Sequence, residues 1–396
     1  PEFDFGTPDG YEYYLKLGTM QRAYESVTGK SYFAAYLEHT TYDEFWKTRD
    51  ISAHMKAVTP AVLVTGGLFD AEDLQGPQRL FGALSKDSPK TERTLVLGPW
   101  RHGGWARGDG DGLGNLDFAQ KTSAYYREAI EFPFFMKHLK GVDAPMPRAW
   151  VFETGRNEWH RFDAWPPSGS RSVPYYLSAR GTLSDQAPAA ADTTSEEYLA
   201  DPARPVPYLG YVNMGMRGDY MTEDQRFAWA RPDVVSYVSA PLQADVRAIG
   251  PVRVRLQVSS TATDADFVVK LIDVYPADAP GLRPQPTPRP ANAVEMGGYQ
   301  QLVRGEPFRA KFRRSLEKPE PLVPGRIETI EFEMPAIAHA FRPGHRIMVQ
   351  VQSSWFPLVD RNPQKFMDIA KATDGDFVKA THRIHRGSLV SLTVLP

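Results

Sequence analysis

Between residues 11 and 57, aromatic and apolar positions recur at helical spacing, first from Tyr11-Glu12-Tyr13-Tyr14-Leu15-Lys16-Leu17 to Tyr24 and again from Tyr42-Asp43-Glu44-Phe45-Trp46 to Met55. This pattern predicts two helices. Pro60 then introduces Ala61-Val62-Leu63-Val64-Thr65, a short β-branched run that fits a strand buried on both faces. Leu68 to Gln75 reads as a loop. Gly76-Pro77 opens a helix with apolar Leu80, Phe81 and Leu84, proline being tolerated at the first helical position. A second buried strand, Thr94-Leu95-Val96-Leu97, runs into Gly98-Pro99-Trp100. After a glycine-rich stretch, Asp117 is expected to cap a long helix that reaches Lys140 and stops at Gly141. Strand, helix, strand, helix is the α/β signature.

From about Val142 the pattern changes to short period-two runs separated by proline, glycine and aspartate. In Val252-Arg253-Val254-Arg255-Leu256-Gln257-Val258 the apolar residues take one face and the polar ones the other. Ile330-Glu331-Phe332-Glu333-Met334, Ile347-Met348-Val349-Gln350-Val351 and Val390-Ser391-Leu392-Thr393-Val394 repeat it. This half reads as an antiparallel β-sandwich. The six prolines from Pro276 to Pro290 mark an excursion from a sheet edge, and Ala187 to Ser195 a long loop. The division is therefore a helical segment over 1–58, part of an α/β domain over 59–141 and a β-sandwich over 142–396. There is no internal repeat.

The charge balance narrows the function. With 46 basic against 48 acidic side chains, nothing is left over to neutralise phosphates, so neither nucleic acid nor an anionic membrane is expected as a partner. No run of about 18 apolar residues offers a membrane span. The absence of cysteine removes disulfides, thiolate metal sites and cysteine nucleophiles.

Asp70 follows the first buried strand after Gly66-Gly67-Leu68-Phe69, and His102 follows the second after Gly98-Pro99-Trp100-Arg101. Both lie beyond the carboxyl ends of neighbouring parallel strands, the edge of an open α/β sheet where ligands bind. An aspartate followed one βα unit later by a histidine is what the α/β-hydrolase form of the Ser-Asp-His triad requires, since its chain order is nucleophile, acid, base. The acid accepts the Nδ1 proton and leaves Nε2 to serve the nucleophile. The competing reading is that both are ordinary capping or surface residues of loops. No G-x-S-x-G occurs, and a doubly wound sheet cannot stand on two strands with apolar faces and open edges. Six further strands at about 30 residues per βαβ unit amount to about 180 residues. A nucleophilic serine is thus expected upstream, on a separate segment. The opening at Pro1, without initiator methionine, signal peptide or tag, is expected of a chain that was processed or of one whose upstream part is absent.

Gly67-Leu68-Phe69-Asp70-Ala71-Glu72-Asp73, Leu97-Gly98-Pro99-Trp100-Arg101-His102-Gly103 and Tyr42-Asp43-Glu44-Phe45-Trp46 together resemble the α-amino acid ester hydrolases, which group with cocaine esterase, the glutaryl cephalosporin acylases and the X-prolyl dipeptidyl peptidases. The resemblance covers essentially the whole chain. It implies the carboxyl-terminal part of an α/β-hydrolase domain with a helical cap segment, followed by a jelly roll, with Asp70 as triad acid and His102 as base. The family's serine and oxyanion hole then fall on the missing segment. It also implies that Glu72 and Asp73, with a third upstream aspartate, hold the substrate's α-ammonium group. The implied substrates are small-molecule α-amino acid esters and β-lactam antibiotics of the ampicillin or cephalexin type. Homo-oligomers and a periplasmic or secreted address are further implications, with the cytoplasm as the alternative.

Physical chemistry supports the ammonium role, because a carboxylate about 4 Å from an ammonium gains on the order of 4 kcal/mol at an effective dielectric near 20, before desolvation. The competing reading is that Glu72 and Asp73 serve the N-terminus of the following helix. If the amine must be protonated while His102 is neutral, groups titrating near ~7.7 and ~6.5 confine activity to a narrow, near-neutral to mildly acidic window. No cofactor or metal is expected. Asp109-Gly110-Asp111 begins like a calcium loop, but Leu113 and Gln120 occupy ligand positions. The remaining histidines (His39, His54, His138, His160, His339, His345, His382, His385) show no zinc-site spacing. Trp46, Trp100 and Trp105 are assigned no role. Alternatives are a general ester hydrolase, a cephalosporin acylase or a dipeptidyl peptidase of the same superfamily and, from another class, a non-catalytic binding protein built on the sandwich.

Overall fold

The computed structural model describes residues 5–26, 31–189, 194–280 and 294–396. Most of the proline-rich excursion, and the centre of the Ala187 to Ser195 loop, lie outside them. Among the described residues no helix is long and apolar enough to cross a membrane.

The first 58 residues form four short helices rather than two: α1 (Gly10–Leu17), α2 (Met20–Ser26), α3 (Ser31–Glu38) and α4 (Glu44–Lys47), then a 3-10 turn at Ile51–His54. Capping side chains inside the aromatic pattern explain the breaks. The Asp9 carboxylate accepts from the Glu12 N–H to start α1, and Gly18, at φ 87°, ends it. Thr19 Oγ1 accepts from the Arg22 N–H, Asp43 from Phe45 and Asp50 from Ser52, each opening a new turn.

The α/β part begins with β1 (Val62–Gly67), α5 (Gly76–Asp87) and β2 (Arg93–Gly98), the two strands parallel from Val62 opposite Arg93 to Gly67 opposite Gly98. A small hairpin, β3 (Gly112–Leu113) and β4 (Leu116–Asp117), leads to one continuous helical stretch from Thr122 to Lys140: α6 (Thr122–Tyr125), a π-helical segment (Tyr126–Glu131) and α7 (Phe132–Lys140). Asp117 is not its cap. It sits in the hairpin and accepts from the Ala119 N–H, so the helix starts five residues later. The π segment has a cause in Pro133, which has no N–H to give and whose ring would press on the carbonyl of Ala129; the wider turn just before it takes up the misfit. Gly141 ends the helix in the left-handed region, as its position predicts.

The change of pattern near Val142 is not a change of sheet. β5 (Ala149–Glu153) adds parallel to β2, and β6 (Glu158–Phe162) adds antiparallel to β5, giving the order β1-β2-β5-β6. Period-two runs reveal strands but not the sheet they join.

The remaining strands form one ten-stranded sheet: β7 (Arg171–Ser178), β8 (Thr182–Ser184), β9 (Ser195–Ala200), β10 (Val234–Val238), β11 (Val246–Ser260), β12 (Asp266–Val274), β13 (Gln300–Arg309), β14 (Glu328–Phe341), β15 (Arg346–Gln352) and β16 (Ala380–Leu395). Its order is β13-β12-β15-β10-β8-β7-β16-β11-β14, with β9 beside β16, and the inner side chains of nearly every strand meet in one core, so the sheet curls round on itself. β11 shows the expected alternation, Val252, Val254, Leu256 and Val258 buried with Arg253 and Arg255 outside. β12 and β15 are buried on both faces, because Val268, Ile272 and Met348 pack outward against Leu68, Leu97 and Val151 of the α/β part. The two parts thus share a core.

The turn after β5 fastens them further. Thr154 exchanges backbone hydrogen bonds with β14, its N–H to Ala338 O at 3.0 Å and its carbonyl from the Ala340 N–H at 2.8 Å. Gly155, at φ 84°, lies so close that a Cβ would run into Ala340 O. Gly155→Ala combines left-handed strain with overpacking, each worth about 1–3 kcal/mol. It should lower stability by about 3 kcal/mol, read as a lower urea midpoint with unchanged slope.

Candidate active site

The parallel register of β1 and β2 brings the loops that leave them side by side. Leu68 N–H bonds to Gly98 O at 2.8 Å and Phe69 N–H to Trp100 O at 3.1 Å, so the Asp70 loop is stitched to the His102 loop through main chain. Gly67 is required by this closeness, since a Cβ there would overlap the Trp100 carbonyl. The carbonyl of Leu68 is held from the other side by Arg304 Nη2 of β13, at 2.9 Å.

Asp70 is 1% exposed. A carboxylate taken out of water needs partners for its oxygens, and three N–H groups converge on it. The main-chain N–H groups of Glu72 and Asp73 donate to Oδ1, both at 2.9 Å. The His102 ring meets it through Nδ1, 3.1 Å from Oδ1 and 3.0 Å from Oδ2. The His102 side chain itself is half exposed. Its hydrogen bond to Asp70 and the Asp70 charge hold its pKa above the ordinary histidine value, and Glu72 and Asp73 add to that through their charges. Among the described residues its hydrogen bonds go to Asp70 alone, through Nδ1, and Nε2 makes none.

Glu72 and Asp73 are exposed. The Asp73 carboxylate lies against Gly76, the first residue of α5, where a Cβ would collide with it. Gln75 provides no side-chain cap for that helix, so Asp73 stands where a negative charge favours the helix N-terminus. The Glu72 side chain has no hydrogen bond or ion pair among the described residues. The structure therefore brings all four residues singled out by sequence to one place, and gives Asp73 a structural neighbour as well.

The other candidates resolve differently. The Asp109 carboxylate pairs with Lys121 at 2.9 Å, and the Asp109 and Gly110 carbonyls receive the first N–H groups of α6, so this stretch serves the helix start. Trp100 is a core residue whose Nε1–H donates to Thr122 Oγ1, and Trp105 lies edge-on to the His102 ring, with centroids 6.4 Å apart. Trp46 stacks on Tyr36 within the helical first 58 residues. His382 bonds to Gln364 and His385 to Ser259, separately. One group with metal-ligand geometry occurs among the described residues, Glu153, Glu158 and His160, but the Glu153 carboxylate is gripped by the Arg247 guanidinium through two bonds of 2.9 Å and does not fit a metal ligand. Burial pushes Glu153 up, yet His160 and Arg247 together hold it below the usual carboxylate range. The residue that sequence reading missed is Arg304. Nothing in the run Gln300-Gln301-Leu302-Val303-Arg304 tells a buried arginine from an exposed one.

Comparison with known proteins identifies the family. Residues 11–104 match the family described as X-Pro dipeptidyl-peptidase (S15 family), and residues 140–390 the X-Pro dipeptidyl-peptidase C-terminal non-catalytic domain. Cocaine esterase of Rhodococcus sp. (strain MB1 Bresler) is 31% identical over 367 residues, which is 89% of this chain and 58% of that protein. A putative serine esterase of Mycobacterium bovis is 30% identical over 266 residues, 65% of this chain and 40% of that protein. Among solved structures, an aminopeptidase from the marine sediment archaeon Thaumarchaeota archaeon superposes with a TM-score of 0.92 at 34% identity, covering 100% of this chain and 66% of the other. An α-amino acid ester hydrolase superposes with a TM-score of 0.89 at 36% identity, covering 98% and 65%. The chain thus spans about three-fifths of the length of the Rhodococcus relative and two-thirds of the archaeal one. With an S15 segment running into the loop that bears His102 and a C-terminal domain of the same family behind it, the chain belongs to the X-Pro dipeptidyl-peptidase and cocaine-esterase-like family of serine hydrolases.

Proposed function

We propose that the protein carrying this chain is a serine hydrolase that works through an acyl-enzyme on substrates with a free α-amino group, namely α-amino acid esters and β-lactams with an α-amino acyl side chain. The observation that carries this reading is the Asp70–His102 pair at adjacent strand ends with two further carboxylates acting on the same imidazole. Asp70 orients the ring and stabilises the imidazolium, and His102 Nε2 takes the serine proton and returns it to the leaving group. Water then gives hydrolysis, and a β-lactam nucleus arriving as the acceptor amine gives acyl transfer. Glu72 and Asp73 receive the substrate ammonium.

The nucleophilic serine is assigned to a segment outside these residues. In support, β1 pairs only with β2 among the described residues, and its other edge presents the unpaired backbone groups of an apolar parallel strand. Further strands of a hydrolase sheet would pair there. The curled ten-stranded sheet is assigned as the family's jelly roll. An address outside the cytoplasm and assembly into a homo-oligomer belong to the same proposal and rest on resemblance. A second reading, cleavage of N-terminal residues from peptides, is favoured by the archaeal aminopeptidase neighbour, since it calls for the same ammonium recognition.

A fluorophosphonate probe on the full-length protein should label one serine, on a peptide outside residues 1–396; absence of labelling would overturn the enzyme reading. Phenylglycine methyl ester should be hydrolysed and its N-acetyl form hardly at all, while phenylglycine p-nitroanilide separates the ester from the peptidase reading. Glu72→Ala and Asp73→Ala should raise KM for the amino ester about tenfold or more, equivalent to about 1.4 kcal/mol, with little change for esters lacking the amine. Equal losses on both would remove their assigned role.

Asp70→Asn should lower kcat by on the order of 10⁴-fold with the fold intact, and His102→Ala should be similarly severe. The pH profile follows from the sign of the His102 shift. A base must be neutral, and a raised pKa moves the acid limb of kcat/KM above ~6.5, while the substrate amine closes the window near ~7.7. The optimum should therefore be narrow and close to neutral rather than mildly acidic, and a rate still rising at pH 9 would count against ammonium recognition.

A further inference from the structure

Arg304, on β13 within the region matched by the family described as non-catalytic, is the largest fully buried side chain among the described residues. A guanidinium brings five N–H donors and a permanent charge into the interior, and both need answering. Here they are answered poorly. Nε and Nη1 have no hydrogen-bond partner among the described residues, and burial draws the pKa down to about 10. Glu306, two residues on, favours the charge but is itself pushed up to about 7 by burial, and it forms no hydrogen bond with Arg304. A methionine of similar length would fill this space more cheaply, so packing does not account for an arginine.

What an arginine supplies is one donor group. Nη2 is shared between Leu68 O at 2.9 Å and Ala336 O at 3.0 Å, tying β14 of the curled sheet to the loop that carries Asp70, two residues further along. Of that loop's neighbouring main-chain groups, Leu68 N–H and Phe69 N–H are bonded to the His102 loop. The Leu68 carbonyl faces the other way and is the group Arg304 fixes. A displacement of about 1 Å in a catalytic constellation can cost on the order of 10²-fold in rate, and the Asp70 contacts to His102 lie at 3.0–3.1 Å, with little slack.

We propose that Arg304 is a positioning residue for the triad acid: through the Leu68 carbonyl, the domain described as non-catalytic sets where Asp70 meets His102. This rests on the reading of Asp70 and His102 as acid and base. In the full-length protein, Arg304→Met should lower kcat for phenylglycine methyl ester 10- to 100-fold with KM changed less than twofold. The acid limb of kcat/KM should move to lower pH, because a loosened Asp70 no longer raises His102. Arg304→Lys, which keeps a donor and a charge, should fall between. Because the effect runs through Asp70, adding Arg304→Met to Asp70→Asn should change kcat less than twofold further.

A variant that loses melting temperature but keeps the wild-type kcat and acid limb would make Arg304 structural only. A full additive loss on top of Asp70→Asn would assign it another route, and either result overturns the proposal. Should Arg304→Met not fold, Arg304→Lys supports the same three comparisons. If Asp70→Asn alone matches wild type, the premise about the acid fails, and the proposal falls with it rather than through Arg304.

Discussion

A carboxylate can be buried only where its oxygens are answered, and Asp70 meets that condition by drawing in groups from everything around it. Two of its donors are the main-chain N–H groups of Glu72 and Asp73 in its own turn, and the third is the imidazole from the neighbouring strand end. Hydrogen bonds to a charged group are stronger than those between neutral ones, and a buried charge that loses a partner costs more than the bond contributed. The turn after β1, the parallel register with β2 and the direction of the His102 ring are therefore linked to one condition. If the register slipped by one residue, the two loops would no longer meet at Gly67 and Gly98.

The second constraint is that the α/β part does not end where its strands end. β12 and β15 are buried on both faces because one face belongs to the curled sheet's core and the other, through Val268, Ile272 and Met348, to the core shared with β1, β2 and β5. Polar groups at the junction are treated in the same way as Asp70. Thr154, at the end of β5, meets His339 at 2.8 Å, His339 meets Asp273, and Asp273 also accepts from His345. Burial pushes Asp273 up, yet the two histidines hold it below the ordinary aspartate value. Such fully answered polar chains fix one docking of the parts, because any shifted arrangement would leave a buried charge without its partner.

These features differ in how far the sequence disclosed them. Asp70 and His102 were legible because a β-branched run followed by glycine fixes a strand end, and chemistry collects there. The alternation in β11 was legible because one of its faces meets solvent. β12 gives no clear strand signal, because Asp266 to Val274 carries a lysine and aspartates amid apolar residues and its two faces are buried for different reasons. The number of helices in the first 58 residues is not legible, because aromatic periodicity runs across Gly18 and Asp50, where local capping decides. Arg304 and Leu68 are 236 residues apart, and no local pattern encodes a contact of that range.

The geometry of the Asp70 turn also bears on the acidic pair that follows it. Because the Glu72 and Asp73 N–H groups turn inward to the carboxylate, their side chains are left on the outside, beside the imidazole that the same carboxylate holds. Two negative charges there raise the His102 pKa, which by itself makes the ring a base less readily available at lower pH. Under the proposed function the arrangement corrects itself when a substrate binds. An ammonium between Glu72 and Asp73 offsets their charge, removes that part of the upward pull, and leaves His102 neutral over a wider range in the complex than in the free protein. A substrate without the amine offsets nothing. Discrimination then arises twice from the same two carboxylates, once in binding and once in the protonation state of the base, and both effects follow from the way the turn solvates Asp70.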